Sequence, residues 1–228
     1  ERGNGIVVFE DNTATPKYKI WDGSSWGAEK DVTVSTTTGT PIWIRLCANP
    51  NANSNEIALA WVTDGKQVGA KIWDGATWGN EVLLSSAGAT TGQTVDVAYR
   101  QESCKPIFVF SDADSASGGK VKSRIFNGVS WDDETDAVNV GAAGAAGDGA
   151  ENVEYLVLKP NTTDQVMLIA LDSGDDVTAK RFDGTWNTHK DVNGGARGNI
   201  NQYADVCWEI NTDHKGHCLL VFGDDTTA

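Results

Sequence analysis

The 228-residue chain has one methionine, three histidines, five prolines and only 18 basic residues against 32 acidic ones. A net charge of −14 leaves no basic surface to neutralise phosphates, which argues against nucleic acid and anionic membrane as partners. No apolar run approaches the roughly 18–20 residues of a membrane helix, so no spanning helix is expected. None of the four cysteines sits in a C-x-x-C pair, which weakens a zinc or thioredoxin reading. The one His/Cys cluster, at 214–218, places His217 and Cys218 next to each other on a strand, hence on opposite faces, which disfavours a metal site. There is no G-x-S-x-G, no H-E-x-x-H and no G-x-G-x-x-G opening a helix, and no helical periodicity anywhere. The chain opens on Glu1 with no initiator methionine, as expected either for an exported product after signal cleavage or for a piece of a longer chain.

What the sequence does have is a repeat. Trp21-Asp22-Gly23-Ser24-Ser25-Trp26 recurs as Trp73-Asp74-Gly75-Ala76-Thr77-Trp78, as Phe126-Asn127-Gly128-Val129-Ser130-Trp131 and, one residue shorter, as Phe182-Asp183-Gly184-Thr185-Trp186. The glycines Gly23, Gly75, Gly128 and Gly184 are spaced by 52, 53 and 56 residues, and the small-residue segment 141–149 absorbs the extra length of the last step. Before each aromatic runs a period-two pattern such as Tyr18-Lys19-Ile20-Trp21, the mark of a half-buried strand, and Asp-Gly or Asn-Gly supplies the positive φ of a tight hairpin. Upstream of each hairpin lie two further runs, one nearly continuous in apolar residues and suited to a strand buried on both faces. Four short strands per ~53 residues is the arithmetic of a propeller blade. One repeat domain over 1–228 is expected, with hairpins near 18–34, 67–85, 120–140 and 177–192 and a partial repeat at 203–228.

These W-D-G-x-x-W hairpins resemble those of secreted bacterial propeller-like repeat proteins. More distantly, Asp74-Gly75-Ala76-Thr77-Trp78 resembles the Asp-box of sialidase-type propellers, Ser-x-Asp-x-Gly-x-Thr-Trp, but is one residue short of it and lacks the leading serine. The resemblance implies an all-β, propeller-like fold of about four four-stranded antiparallel blades, exported to the medium or cell surface. A sialidase would also carry an arginine cluster, and the six arginines do not align to equivalent blade positions. In phase with the repeat, Ile6, Val7, Val8 and Phe9 open the chain on a second strand, and Leu219, Leu220, Val221 and Phe222 close it on another. The strand at 203–210 is expected to complete the opening blade, leaving the last run surplus and free to template association.

Aromatics locked to the repeat are expected to fill the space between blades. Trp43 and Trp208 are less tied to the period and so are better candidates for stacking on a sugar. Asp112 and Asp114, in an acidic loop, are candidate calcium ligands, with Asx-turns as the plainer alternative and calcium the one cofactor considered. Cys207 and Cys218 lie on runs joined by a hairpin, which allows either a disulfide or two free thiols. The leading functional reading is a non-catalytic extracellular structural or adhesive protein that associates with its own copies through terminal strands. The alternatives are a lectin-like glycan binder and a sialidase-like glycosidase.

Overall fold

The period-two runs become strands and the Asp-Gly and Asn-Gly steps become their turns. The computed structural model describes residues 4–114, 118–139, 152–174, 176–187, 190–193, 204–209 and 216–223. Among these residues all helix and strand structure is β, in seventeen strands, and no helix is long and apolar enough to cross a membrane. The first sheet holds β1 (Gly5–Phe9), β2 (Lys17–Trp21) and β3 (Lys30–Asp31). The second is β4 (Pro41–Ala48), β5 (Ile57–Thr63), β6 (Val68–Trp73) and β7 (Trp78–Ser85). The third is β8 (Val95–Tyr99), β9 (Pro106–Asp114), β10 (Gly118–Ile125) and β11 (Thr135–Asn139). The fourth is β12 (Val153–Pro160), β13 (Val166–Asp172), β14 (Val177–Phe182) and β15 (Lys190–Asn193), and the fifth is β16 (Ala204–Trp208) with β17 (Cys218–Phe222). Every pairing is antiparallel between strands consecutive in the chain.

Each hairpin closes by the same local chemistry. Gly23, Gly75, Gly128 and Gly184 have φ of 93°, 102°, 100° and 106°, a region closed to most side chains. The preceding Asp or Asn folds back on the turn: Asp74 Oδ1 accepts hydrogen bonds from Ala76 N (2.8 Å) and Thr77 N (2.7 Å), and Asn127 Oδ1 accepts from Val129 N (2.9 Å) and Ser130 N (3.0 Å). The two aromatics then face each other across the strands, with ring centroids 5.2–5.5 Å apart in all four copies.

The sheets stack face to face in chain order, with the first strands β4, β8, β12 and β16 as neighbours, in the manner of propeller blades. Four apolar cores lie between the five sheets: Leu59 and Trp61 under Tyr18, Phe108 and Phe110 under Ala60 and Val62, Leu156 and Leu168 under Ile107 and Val109, and Val206 under Ile169 and Leu171. Strands of the middle sheets touch a core on both faces, which is why β5 is buried from Ala58 to Thr63 and β8 throughout.

The ends differ from the sequence expectation. Ala204–Trp208 does not complete the opening blade; it is hydrogen-bonded to Cys218–Phe222, because the nearest apolar run is the easiest edge to reach. Among the described residues there are thus three four-stranded sheets, a three-stranded sheet before them and a two-stranded one after. Ile6 and Val8 of β1 pack on the second sheet while Val7 faces outward, and Leu220 and Phe222 of β17 pack on the fourth while Leu219 (66% exposed) and Val221 (63%) face away. Among the described residues the outer edges of β1 and β17 pair with no strand.

Candidate functional site

The boundaries between sheets carry the chemistry, and they are built from side chains that cross them. In three of the four copies the hairpin tryptophan reaches back to the preceding sheet. Trp78 lies edge-on to Tyr18 (6.0 Å), Trp131 Nε1 donates to Asn80 O (2.9 Å), and Trp186 Nε1 donates to Ser123 Oγ (2.8 Å). Trp26 has no described sheet in front of it and is 52% exposed. Lys71 and Lys180, two residues before their hairpin aromatics, likewise donate to Thr33 O and Ala137 O. Among the first strands, Asp96 is 2% exposed and accepts hydrogen bonds from Arg45 Nε (2.8 Å), Leu158 N (2.8 Å) and Val97 N (2.9 Å), tying β4, β8 and β12 together.

At the end of the stack where the hairpin turns lie, the sheets part into clefts. Two of these are equivalent by register. Gly5, Ile57 and Val166 each pair with a hairpin aromatic, so Asn4, Glu56 and Gln165 hold one position. The N–H of Asn49, Asn161 and Glu209 donates to the carbonyl of Glu56, Gln165 and His217 respectively, which adds His217 to that set. The cleft between the first and second sheets is about 220 Å³ and is lined by Asn4, Ile20, Glu56 and Trp73. Its counterpart between the fourth and fifth sheets is about 430 Å³, with Gln165 for Asn4, Arg181 for Ile20 and His217 for Glu56, plus Glu209. The second cleft therefore holds a guanidinium, a carboxylate and an imidazole where the first is partly apolar. Arg181 Nη2 is 3.0 Å from Asp183 Oδ2, and its buried Nε has no hydrogen-bond partner among the described residues. His217 Nδ1 lies 3.7 Å from Glu209 Oε2.

A third cleft, about 390 Å³, adjoins this one and is lined by Gln101, Lys159, Pro160 and Trp208. Trp208 is therefore beside a cleft, but the residue is only 7% exposed and its Nε1 donates to Lys159 O (2.7 Å). Trp43 is half-buried and packs on the core between the second and third sheets. Arg181, Glu209 and Gln165 are not among the site residues expected from the sequence, and His217 enters there only as a disfavoured metal ligand. One signal points to Arg181: the residue before the hairpin aromatic is Ile20, Ile72 and Ile125 in three copies and Arg181 in the fourth.

Two other expectations change. Cys207 is opposite Leu219 and Cys218 opposite Trp208, so the two cysteines point to opposite faces of one sheet; like Cys47 and Cys104 they are free thiols. Asp112 is ion-paired with Lys122 and accepts a hydrogen bond from Ser85 Oγ (2.6 Å); burial alone would raise its pKa, but these partners hold it below the ordinary value. A carboxylate already neutralised by an ammonium is a poor calcium ligand, and no group of three acidic, histidine or cysteine side chains converges among the described residues. The Asp114 side chain, residues 115–117, His214 and the segment 141–149 lie outside the described residues.

No protein-family model and no curated protein sequence matches the chain. Solved structures do. A triple-arginine variant of AofleA from Arthrobotrys oligospora is similar with a TM-score of 0.57 at 8% identity, over 98% of this chain and 63% of that one. The Aleuria aurantia lectin, solved with alpha-methyl-L-fucoside, gives a TM-score of 0.51 at 13% identity over 83% of this chain and 61% of its own. A looser likeness, TM-score 0.45 at 14% identity, is to the NanB sialidase of Streptococcus pneumoniae, over 92% of this chain and 33% of that one. The chain thus spans about three-fifths of the length of the first two structures, and what it shares with them is an all-β, propeller-like fold.

Proposed function

We propose that the protein is a non-catalytic glycan-binding module that takes a sugar in the cleft between its fourth and fifth sheets. The observation that carries this is the convergence of Arg181, Glu209, His217 and Gln165 on one cleft of about 430 Å³. Sugar hydroxyls both donate and accept, so a site that offers a guanidinium beside a carboxylate satisfies neighbouring hydroxyls in pairs. The volume is on the small-ligand scale of roughly 300–1,000 Å³. The like-folded lectin that holds a fucoside supports the reading, and fucosides belong among the first ligands tried. The net charge of −14 and a sequence without G-x-S-x-G or H-E-x-x-H are in keeping with recognition. Export to the medium or cell surface, where such glycans are met, belongs to the same proposal.

A glycan array followed by calorimetry on the best ligands tests this. Binding is expected with and without chelator, since Asp112 is committed to Lys122. Arg181→Ala is expected to weaken binding by about tenfold or more, as loss of a charge-assisted pair would. An array that stays blank, or full affinity in Arg181→Ala, overturns the proposal.

A further inference from the structure

The cleft that holds Arg181 does not end at its own wall. It shares Asn161, Thr162 and Glu209 with the adjoining cleft that holds Gln101, Lys159 and Trp208, so the two form one continuous trough along the boundary of the fourth and fifth sheets. We infer that this trough is an extended subsite for at least two linked sugar units, one at Arg181 and the next between Gln101 and Trp208. The inference rests on the glycan-binding reading above and adds the length of the ligand to it.

Three observations carry it. First, the floor shared by the two clefts is fixed in advance. Asn161 Oδ1 accepts hydrogen bonds from Thr163 N and Thr163 Oγ1, both at 2.7 Å, and Asn161 Nδ2 donates to Gln165 Oε1 at 2.9 Å. From the other side the third sheet holds the same turn: Gln101 N donates to Thr163 O (3.1 Å), and Glu102 N and Ser103 N donate to Asp164 Oδ1 (2.9 and 2.7 Å). A turn pinned from within and from a neighbouring sheet loses little entropy when a ligand lies across it.

Second, polar groups remain for a ligand along the whole trough. Asn161 is spent on the turn, but the Thr162 hydroxyl and the Gln101 side-chain amide make no hydrogen bond among the described residues. Among the described residues Lys159 Nζ pairs with the exposed Asp205 alone, at 3.2 Å. Third, the trough changes character along its length. The Arg181 end is charged, while Pro160 and the Trp208 edge give the far end an apolar wall, the mixture that the hydroxyls and ring C–H faces of successive sugars require.

The test compares, by calorimetry on the full chain, methyl glycosides with disaccharides and trisaccharides that end in the same sugar, starting from methyl α-L-fucoside and fucosyl oligosaccharides. The longer glycans are expected to bind about tenfold more tightly than the methyl glycoside. Gln101→Ala and Lys159→Ala are expected to remove most of that gain and leave methyl-glycoside affinity unchanged, whereas Arg181→Ala weakens both. Equal affinity for short and long glycans, or an equal loss for both in Gln101→Ala, overturns the extended subsite and leaves the single-sugar cleft standing. If no sugar of either length binds, the glycan-binding reading falls and the subsite with it.

Discussion

Glu81 shows how one side chain can hold two sheets together. Its carboxylate, on β7, accepts hydrogen bonds from Ser35 N (2.6 Å), Thr36 N (2.7 Å), Thr36 Oγ1 (2.8 Å) and the Lys71 ammonium (2.9 Å), and so ties the bend that follows the first sheet to the second. Burial alone would raise its pKa, but these donors outweigh it and hold the carboxyl at about 2, against 4.5 for a free glutamate. A depressed carboxylate stabilises the fold above its unfolded pKa, and that contribution is lost as pH falls from about 4.5 towards 2. Thermal melts from pH 7 to 2 are therefore expected to show a smaller acid-induced loss in Glu81→Gln than in the native chain. At pH 7 the same variant is less stable by on the order of 1–2 kcal/mol, the worth of hydrogen bonds to a charged group. Residues of this kind are hardly visible in sequence, since Glu81 and Ser35 are 46 positions apart. Arg181 was legible in principle, as a polar break at a position the other repeats fill with isoleucine, but Glu209 and His217 join it only through strand register.

At the scale of elements, the hairpin is a two-part device: a turn that closes on itself and a tryptophan that leans on the sheet before. The first part is local and was readable from Asp-Gly and the flanking aromatics. The second was readable only as aromatic filler, because the acceptors Asn80 O and Ser123 Oγ lie 51 and 63 residues upstream. Trp131→Phe and Trp186→Phe each lose a hydrogen bond across a boundary, so urea unfolding is expected to show losses of about 1–2 kcal/mol. Trp26→Phe, at the outward face of the first sheet, is expected to stay within about 0.5 kcal/mol. The cysteines make the same point about register. Proximity along a hairpin suggested a bridge, but pairing parity puts Cys207 and Cys218 on opposite faces, and a single-residue slip would be needed to bring them together.

At the scale of the molecule, each core is shared by two consecutive sheets only, so stability is a chain of nearest-neighbour terms with its weakest links at the ends. Amide hydrogen exchange is expected to be slowest in β5, β9 and β13 and fastest in β1 and β17, each of which has a core on one face alone among the described residues. Equal protection across all seventeen strands would contradict this. The repeat phase leads to an expectation of four short strands per period and one strand over. It did not give their grouping, because an apolar run such as Ala204–Trp208 fits any free edge and proximity decides which one it takes. The backward reach of the hairpin tryptophans bears on how the chain is made. Trp78, Trp131 and Trp186 all find their partners earlier in the sequence, at Tyr18, Asn80 and Ser123. A chain emerging from the ribosome meets each tryptophan's docking surface already synthesised, so sheets can be added in the order of translation, each new one covering the open face of the sheet before it.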